Sequence, residues 1–424
     1  MKENMKQLNA EMLVNACKDD SFDAGITIRA DLEPLGGHGA PVKPATYAGG
    51  KFQTGKRWID DTEGNQRSVD ILVIDNEPSE ANRLEAALLA NRDELGLPDI
   101  VLDLSSESLP PHLPKELSIF QFPHRNADAY LRDSVMENGN QQVKFADTEI
   151  GKAIFSATED HADALFAWCP QALSFGFWQS HLGKKGSQAK RARSWSSEII
   201  GIEPAVDDIR ILGVKGDPLN LNIDDKVSYD PNDPFGWTLV TSSKKTTSNQ
   251  DEVSDTPTSN APTNRRNTGK KQDSLSNIGH GQAPFGGNDA ALAGVSFKAI
   301  LQNATVSFAS LRRVRVSNGS SAEARAVLVA LGLVAHAAAF GNAFNLRSGA
   351  DLRIKSQSWM WLGANDDEEI EPLGFDTAKS LFKECVERAK AVGLDVGDQW
   401  ERNRISICPA PNLKSAIAKS WPSD

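Results

Sequence analysis

Hydrophobic and polar residues alternate along this chain with periods that predict both strands and helices. Residues 26–32 alternate apolar and polar side chains as a half-buried strand does. Residues 69–75, which include the short apolar run 71–74, are typical of a buried strand. An amphipathic helix is predicted over 3–18, and a second helix, capped by Ser79, over about 79–91. The N-terminal region therefore contains elements of both types.

The middle of the chain is predicted to place two strands around a basic loop. Residues 173–178 and 197–202 are strand-like apolar runs, and the 18 residues between them are rich in glycine, lysine and arginine. We expect the two strands to form a hairpin with a protruding arm. The other elements predicted here are an extended segment at 117–122, a turn entering a helix at 124–134, a helix at 162–168 and a strand at 209–214.

The C-terminal part continues with mixed elements. An alanine-rich helix is predicted over 322–340. Because apolar residues lie on every side of this helix, we expect it to be packed on both sides. The other predictions are strands at 294–303, 351–356 and 359–362, a short helix at 307–313 and an amphipathic helix at 377–392. Strands and helices alternate irregularly, which predicts the α+β class.

Residues 241–277 interrupt this pattern. They are rich in Ser, Thr, Asn, Lys and Arg and almost devoid of large apolar side chains. Such a segment cannot bury enough surface to offset the entropy lost on ordering, so we expect it to be disordered in the free protein. A tolerated surface insertion is the simplest interpretation, although three pairs of adjacent basic residues leave a binding role open.

Composition limits the classes of protein to consider. With 424 residues, of which 39% are hydrophobic, the chain can bury a sizeable core. The most apolar stretch, 326–340, is interrupted by Gly332 and His336, and the N-terminus lacks the apolar core of a secretory signal, so we expect a cytoplasmic protein without a membrane span. The 4 cysteines are widely spread, which argues against a disulfide framework and a zinc site, and no cofactor is expected.

A local concentration of positive charge stands out on a chain whose net charge is −11. Between His181 and Trp195 there is no acid, and aromatic Trp178 and Trp195 lie at the two ends of the loop. Phosphates held by basic side chains and bases stacked on indole rings would make this loop a nucleic-acid site, whereas an unusually basic solvated loop is the alternative. The five basic residues between them are Lys184, Lys185, Lys190, Arg191 and Arg193.

Further basic residues extend the same interpretation. Asn82 and Arg83 lie near the start of the helix that follows the strand at 69–75. Residues 311–315 contribute Arg312, Arg313 and Arg315, for which the alternative is a solvated face with acidic partners.

Two catalytic hypotheses also arise. His181 follows Ser180 and could act as the acid-base residue of a ribonuclease, although adjacent strand residues point to opposite faces and so make a poor dyad. Asp70 and Asp75 bracket a strand and could hold the metal of a nuclease, but their odd separation places them on opposite faces too. The sequence contains no Walker, GxSxG, HExxH or GxGxxG motif.

The order of motifs along the chain resembles the backbone subunit of the CRISPR type I-G (formerly type I-U) Cascade complex, a member of the RAMP superfamily of RNA-binding proteins. The residues that carry the resemblance are 44–47 (PATY), 73–75 (VID) with Ser79 and 81–85 (ANRLE), His124 and Arg125 with 128–130 (DAY) and 132–134 (RDS), 175–178 (FGFW) with Ser180 and His181, 197–201 (SEIIG), 279–281 (GHG), 294–295 (GV) and 311–315 (LRRVR).

This resemblance implies a modified RRM-like (ferredoxin-like) palm with large finger and thumb insertions. The N-terminal part of the palm would occupy 1–240, the low-complexity insertion 241–277, and the C-terminal part with closing helices 278–424. Copies of such a subunit assemble side by side along the guide RNA, and the guide pairs with target DNA between the contacts. The insertion is not explained by the resemblance, and the net acidity suggests that neighbouring copies form a composite groove.

The resemblance implies no catalytic residue and no metal. Its implied partners are crRNA, target DNA paired to the guide, further copies of the chain, a Cascade large subunit, a Cas-five/Cas-six-like RNA-processing subunit and a recruited helicase-nuclease, with no membrane. Together with the basic clusters, it predicts RNA contacts from Asn82, Arg83, Arg125, Arg132, Trp178, His181, Lys184, Lys185, Lys190, Arg191, Arg193, Trp195, His280, Arg312, Arg313 and Arg315.

Overall fold

The fold is seen in a computed structural model of the chain. It describes residues 5–47, 51–60, 65–107, 109, 111–138, 141–179, 189–205, 218–219, 221–222, 224–229, 237–240, 272–275, 294–317 and 320–420. The predicted strand at 209–214 and most of the segment at 241–277 lie outside these residues.

Strands and helices both occur throughout the described residues. The strands are β1 (Gly25–Pro34), β2 (Thr46–Tyr47), β3 (Lys51–Phe52), β4 (Thr54–Asp60), β5 (Gln66–Asp75), β6 (Asp99–Asp103), β7 (Glu116–Ser118), β8 (Ser134–Asn138), β9 (Gln141–Lys144), β10 (Phe177–Trp178), β11 (Lys190–Arg191), β12 (Trp195–Pro204), β13 (Lys226–Tyr229), β14 (Trp237–Leu239), β15 (Gln272–Ser274), β16 (Phe297–Ser307), β17 (Phe344–Asn345), β18 (Asp351–Leu362), β19 (Asp367–Ile370) and β20 (Arg404–Pro409). The α-helices are α1 (Ala10–Ala16), α2 (Glu77–Ala90), α3 (Arg92–Leu95), α4 (Ala129–Arg132), α5 (Glu149–Ser156), α6 (Asp163–Trp168), α7 (Pro170–Phe175), α8 (Phe308–Leu311), α9 (Ser321–Phe340), α10 (Phe375–Ala391), α11 (Asp398–Arg402) and α12 (Pro411–Ser420).

An antiparallel sheet organises the fold. Its strand order is β17-β18-β1-β16-β12-β5-β4, and β19 pairs with β18. A second sheet, in the order β7-β6-β20-β8-β9, contains a parallel pair between β20 and β6. Mixed helices and antiparallel sheets confirm the predicted α+β class.

Helices cover one face of the main sheet. Ile26 and Ile28 of β1 alternate with polar residues and join a core that includes α1, α2, α9 and α10. The predicted two-sided packing of α9 is confirmed, because 16 of its 20 residues are buried. Its length and composition would allow it to cross a membrane, but 83% of its apolar window is buried inside the protein, as in a core helix.

The other face of the main sheet is polar near its centre, and we call it the polar face. Arg29 and Asp31 of β1 are exposed there, and Arg29 lies opposite Asn303 of β16 and Ser358 of β18. Residues directly opposite each other in an antiparallel sheet share a face, so these three side chains form one row.

The predicted strand at 173–178 is wrong over 173–175 and holds only for 177–178, which form β10. Residues 170–175 form helix α7, which begins at Pro170, where proline's fixed φ suits the first helical position. All six residues of α7 are buried, polar Gln171 and Ser174 included, and a short segment buried on every side cannot be identified as helix or strand from its period. The predicted hairpin between 173–178 and 197–202 does not form, because β12 pairs with β5 and β16 in the main sheet.

Two smaller predictions also change. The cap of α2 is Asn76 rather than Ser79, since the Asn76 side chain accepts a hydrogen bond from the Ser79 backbone N–H at 3.1 Å. The expected disorder over 241–277 does not hold for 272–275, because 272–274 form strand β15 beside β13. Leu275 is buried there and provides an apolar anchor that the polar composition of the segment concealed.

Candidate nucleic-acid interface

A pair of two-residue strands, which we call the hairpin, carries the most exposed aromatic ring among the predicted RNA contacts that the structure describes. Phe177 and Trp178 of β10 pair with Arg191 and Lys190 of β11. The Trp178 side chain is 60% exposed, and the Lys190 ammonium lies 5.9 Å from the centroid of its ring. An indole face beside a cation can stack on a base and attract a phosphate at the same place.

The chain enters this hairpin through Gly176. Its φ is 80°, and a Cβ at this position would lie 2.8 Å from the Arg191 carbonyl oxygen. Only glycine accommodates both the left-handed φ and the close approach, so the end of α7 can turn directly into β10.

Within the hairpin, Lys190 and Arg191 have opposite environments. Lys190 is exposed, whereas the Arg191 side chain is buried and donates to the Leu173 carbonyl at 2.6 Å and to the Glu159 carboxylate at 3.1 Å. Burial lowers the pKa of Arg191 to about 10, and the Glu159 charge opposes this shift. Arg191 therefore anchors the base of the hairpin rather than presenting a charge to RNA.

Glu159 joins the two basic segments that were predicted separately. One of its oxygens pairs with Arg191 and the other with Arg313, whose side chain is largely exposed. The Arg315 backbone N–H donates to the Glu159 carbonyl at 2.8 Å, and the Arg315 side chain reaches Asp19 at 3.3 Å. Arg312 instead donates to the Asp23 carbonyl. The fold thus brings Lys190, Arg313 and Arg315 to neighbouring parts of one surface, which we call the basic surface.

Arg193 extends the basic surface towards α2. Its guanidinium is 3.3 Å from the Glu77 carboxylate, an exposed pair at the first residue of the helix. Exposed pairs of this kind stabilise a fold by about 0–1 kcal/mol, so a phosphate can displace the acid at low cost.

Arg125 lies beneath the hairpin and has a structural role. It donates to both oxygens of buried Glu85, at 2.6 and 2.8 Å, and to the Gly176 carbonyl at 3.0 Å. Burial raises the pKa of Glu85, and the Arg125 charge offsets only part of this shift, so the pKa stays above its usual value. All the donors described here point into the protein, which corrects the predicted RNA contact.

Arg83 is similarly engaged. Its Nε donates to buried Asp75 at 2.7 Å, and its Nη2 donates to the Leu346 carbonyl at 2.8 Å. Asp75 also accepts hydrogen bonds from Ser79 at 2.9 Å and Arg347 at 2.5 Å. Two arginines for one carboxylate give this cluster a net positive charge, with both guanidiniums about one quarter exposed at 26% and 24%.

Trp195 is a further correction. Its side chain is 2% exposed, and its ring centroid lies 5.7 Å from that of His336. A Cβ on Gly332 would be only 2.6 Å from the Trp195 ring. The ring is part of the core beneath α9 and has no free face for a base.

The remaining predicted contacts are dispersed. Asn82 is exposed on α2, and Arg132 is paired with its neighbour Asp133 at 2.7 Å. Four predicted residues lie outside the described part of the chain: His181, Lys184, Lys185 and His280.

Sequence reasoning missed Arg29. It is exposed at the centre of the polar face, and no ion pair joins it to another described residue. The alternation in residues 26–32 already assigned Arg29 to the polar side of a strand, but only strand pairing shows that this side is the centre of the main sheet.

The metal-nuclease hypothesis is not favoured by the geometry. The two oxygens of Asp75 are occupied by Ser79, Arg83 and Arg347, and Asp70 is exposed and paired with Lys56 at 2.7 Å. Within the described ranges no three His, Cys, Asp or Glu side chains come together as metal ligands.

Part of the chain matches a known protein family. Residues 26–205 match the model of the family described as CRISPR-associated protein GSU0053, a range that includes α2, Arg125, the hairpin and most of the main sheet's N-terminal strands. No curated protein matches the chain. The family match supports a CRISPR-associated protein.

Proposed function

We propose that this CRISPR-associated chain is a non-catalytic, crRNA-binding backbone subunit of a type I-G Cascade surveillance complex. Several copies would lie along one guide RNA and present it for pairing with target DNA in antiviral defence. In this arrangement the protein binds the RNA backbone and base pairing reads the sequence.

The observation that carries the proposal is the hairpin of Trp178 and Lys190. An exposed indole with an ammonium 5.9 Å from its centroid combines the two interactions on which sequence-tolerant RNA binding depends, and Glu159 links Arg313 to Arg191 of the same hairpin. The hairpin lies inside the range that matches the CRISPR-associated family.

The strand order supports an RRM-like palm with insertions. Four strands lie in the spatial order β18-β1-β16-β12, so their order along the chain is fourth, first, third, second. With α2 between β1 and β12 and α9 between β16 and β18, this order is the one expected of the β-α-β-β-α-β arrangement in ferredoxin-like folds. The polar face of the sheet, with Arg29 at its centre, is the surface on which an RRM binds RNA.

The acidic balance of the chain supports assembly rather than isolated binding. A net charge of −11 opposes the approach of RNA to a single copy, whereas a basic surface contributed by adjacent copies concentrates positive charge along the guide. The proposed assembly also includes a large subunit and a Cas-five/Cas-six-like RNA-processing subunit, and recruits a helicase-nuclease, in the cytoplasm.

The test is co-expression with a guide array, followed by measurement of the RNA that co-purifies. Because Arg191 anchors the hairpin, the charge-reversal variant changes Lys184, Lys185, Lys190 and Arg193 to Glu and leaves Arg191 intact. We expect a folded protein that has lost guide RNA. RNA retained at the wild-type ratio would refute the assignment of this surface.

A single substitution tests the indole. Trp178→Ala should weaken single-stranded RNA binding about 5- to 150-fold, since one stacked base contributes about 1–3 kcal/mol. Trp58→Ala is the matched control, because Trp58 is 72% exposed on β4, away from the hairpin. Equal losses in the two variants would contradict a specific role for Trp178.

The endoribonuclease alternative depends on His181, which lies outside the described residues. Incubation of the purified protein with repeat RNA in the absence of metal decides it. Specific cleavage that disappears in His181→Ala would overturn the non-catalytic proposal.

A further inference from the structure

Strand β4 forms one edge of the main sheet. Among the described residues, Thr54–Asp60 pair with β5 on one side and with no strand on the other. An edge strand leaves a row of backbone N–H and C=O groups that can bond to a further strand. Since β12 pairs with β5 only from Ile71 onward, 56–60 and 66–70 continue past β12 as a two-stranded ribbon, which is marginally stable by itself. This edge is therefore open to another strand.

Three exposed side chains lie on one face of β4. They belong to Lys56, Trp58 and Asp60, which alternate along the strand and so point to the same side. The Trp58 side chain is 72% exposed. Lys56 is joined to Asp70 of β5 by an exposed ion pair of 2.7 Å, whereas no ion pair joins Asp60 to another described residue. A base, a large aromatic ring and an acid thus follow one another along an open edge.

The order of these three residues is complementary to itself. When two copies of β4 pair antiparallel about a twofold axis at Trp58, Lys56 of each copy lies opposite Asp60 of the other, and the two indole rings face each other. Opposite charges and aromatic rings that face each other across an antiparallel pair stabilise it. On the other face of the strand, this register places Arg57 opposite Ile59, so no like charges meet there.

The neighbouring registers of two β4 strands are less favourable. Because the backbone groups of a strand alternate in direction, one copy can shift along the other only in steps of two residues. One such shift moves the axis to Arg57 and sets the two guanidiniums opposite each other. The opposite shift moves the axis to Ile59 and leaves only Trp58–Asp60 of each described strand paired. The axis at Trp58 is therefore the register that the side chains favour.

The side-chain contacts already present at this edge are exposed. The Arg57 Nη1 donates to the Lys56 carbonyl at 3.2 Å, and its Nη2 donates to the Glu198 carboxylate at 3.2 and 3.3 Å. Exposed ion pairs and hydrogen bonds of this kind contribute little to stability. A backbone N–H of the second copy can therefore replace the Arg57 donor at the Lys56 carbonyl, while Arg57 keeps its contact with Glu198.

We propose that β4 is the contact surface of a twofold dimer of this chain, in which two main sheets join edge to edge through Lys56, Trp58 and Asp60. The same surface is used by both copies, so the contact closes at two, whereas assembly along a guide RNA needs contacts that repeat in one direction. The dimer is therefore a state of the RNA-free protein, and the inference goes beyond the proposed RNA-binding function.

Sedimentation velocity of the RNA-free protein over a range of concentrations tests the dimer. We expect the mass to rise from 45.9 kDa towards twice that value as the concentration increases. Asp60→Lys sets two lysines opposite each other at both ends of the contact and should raise the dimer dissociation constant about tenfold or more. The double variant Lys56→Asp, Asp60→Lys exchanges the two charges and should return the constant to within about threefold of the wild type.

Asp20→Lys is the matched control, because Asp20 is exposed between α1 and β1 and the substitution changes the net charge equally. Both single variants are less acidic than the wild type, with its net charge of −11, so general repulsion between copies falls in both. Weaker association of Asp60→Lys alone therefore reports a local contact. A wild-type protein that stays monomeric at every concentration, or a folded double variant that dimerises no better than Asp60→Lys, overturns the proposal.

Cysteine cross-linking tests the register without relying on charge. Trp58→Cys sets two thiols opposite each other at the twofold axis, where oxidation should join the copies by a disulfide. Lys56→Cys is the control, since its two thiols would lie about four residues, or about 13 Å, apart along the strands. The wild type gives the background from the native cysteines, of which Cys408 alone is not fully buried. Equal cross-linking of the two variants, or none in Trp58→Cys, overturns the axis at Trp58.

Discussion

Replacing Arg125 with alanine tests whether this residue contacts RNA or stabilises the fold from inside the protein. The Arg125 guanidinium donates to both oxygens of Glu85 and to the Gly176 carbonyl, directly where the chain enters the hairpin. Arg125→Ala removes these three bonds and leaves the Glu85 carboxylate, whose side chain is 3% exposed, without its counter-ion.

The expected loss of stability is large for a single substitution. Removing one partner of a buried ion pair destabilises a protein by about 3–5 kcal/mol, because the other charge stays desolvated. At about 1 °C per kcal/mol for a chain of 424 residues, the melting temperature should fall by about 3–6 °C. The loss should grow with pH, since burial already holds the Glu85 pKa above its usual value and the variant has lost the arginine that lowers it.

The assay is thermal unfolding of the purified protein, with RNA binding measured below the transition. The double variant Arg125→Met, Glu85→Gln should recover most of the lost stability, because it leaves no buried charge. Arg132→Ala is the control, since Arg132 forms an exposed pair and should change stability by less than about 1 kcal/mol. A variant with wild-type melting temperature but no bound RNA would refute the internal role of Arg125 and restore the contact predicted from sequence.

Three further predictions follow from buried groups and from the insertion. Burial raises the pKa of Glu80 from 4.5 to about 8, so the folded protein holds a proton that the unfolded chain releases, and stability should fall as pH rises from about 4.5 to 8. The melting temperature of Glu80→Gln relative to that of the wild type should therefore rise between pH 5 and pH 9. A difference in melting temperature that stays constant over this range would contradict the prediction. Gly332→Ala should lower stability by about 1–3 kcal/mol in chemical denaturation despite alanine's helix propensity, because its Cβ would approach the Trp195 ring to 2.6 Å; unchanged stability would show that the ring moves freely. Deleting 241–271 should barely shift the melting temperature, whereas deleting 241–277 also removes β15 and buried Leu275 and should lower it; equal effects would contradict the anchor.

The alternation in β1, the apolar run in β5 and the apolar surface of α9 were predictable, because each depends on the period of neighbouring residues. The helix α7 was not, since a six-residue segment buried on every side has no period that distinguishes helix from strand. The strand β15 was concealed by polar composition, and one buried leucine anchors it.

By itself, the sequence determined that basic and aromatic residues concentrate around 178–195 and 311–315, and that the chain mixes strands and helices. Only the tertiary structure decided which of these side chains are exposed and so available to bind a partner. Lys190 and Arg191 are adjacent, yet pairing in a strand sends one to solvent and the other to Glu159. Trp178 and Trp195 look equivalent in the sequence, but one lies on a peripheral hairpin and the other under α9. Burial depends on which distant segments pack against a residue, and the pattern of neighbouring residues in the sequence does not contain that information.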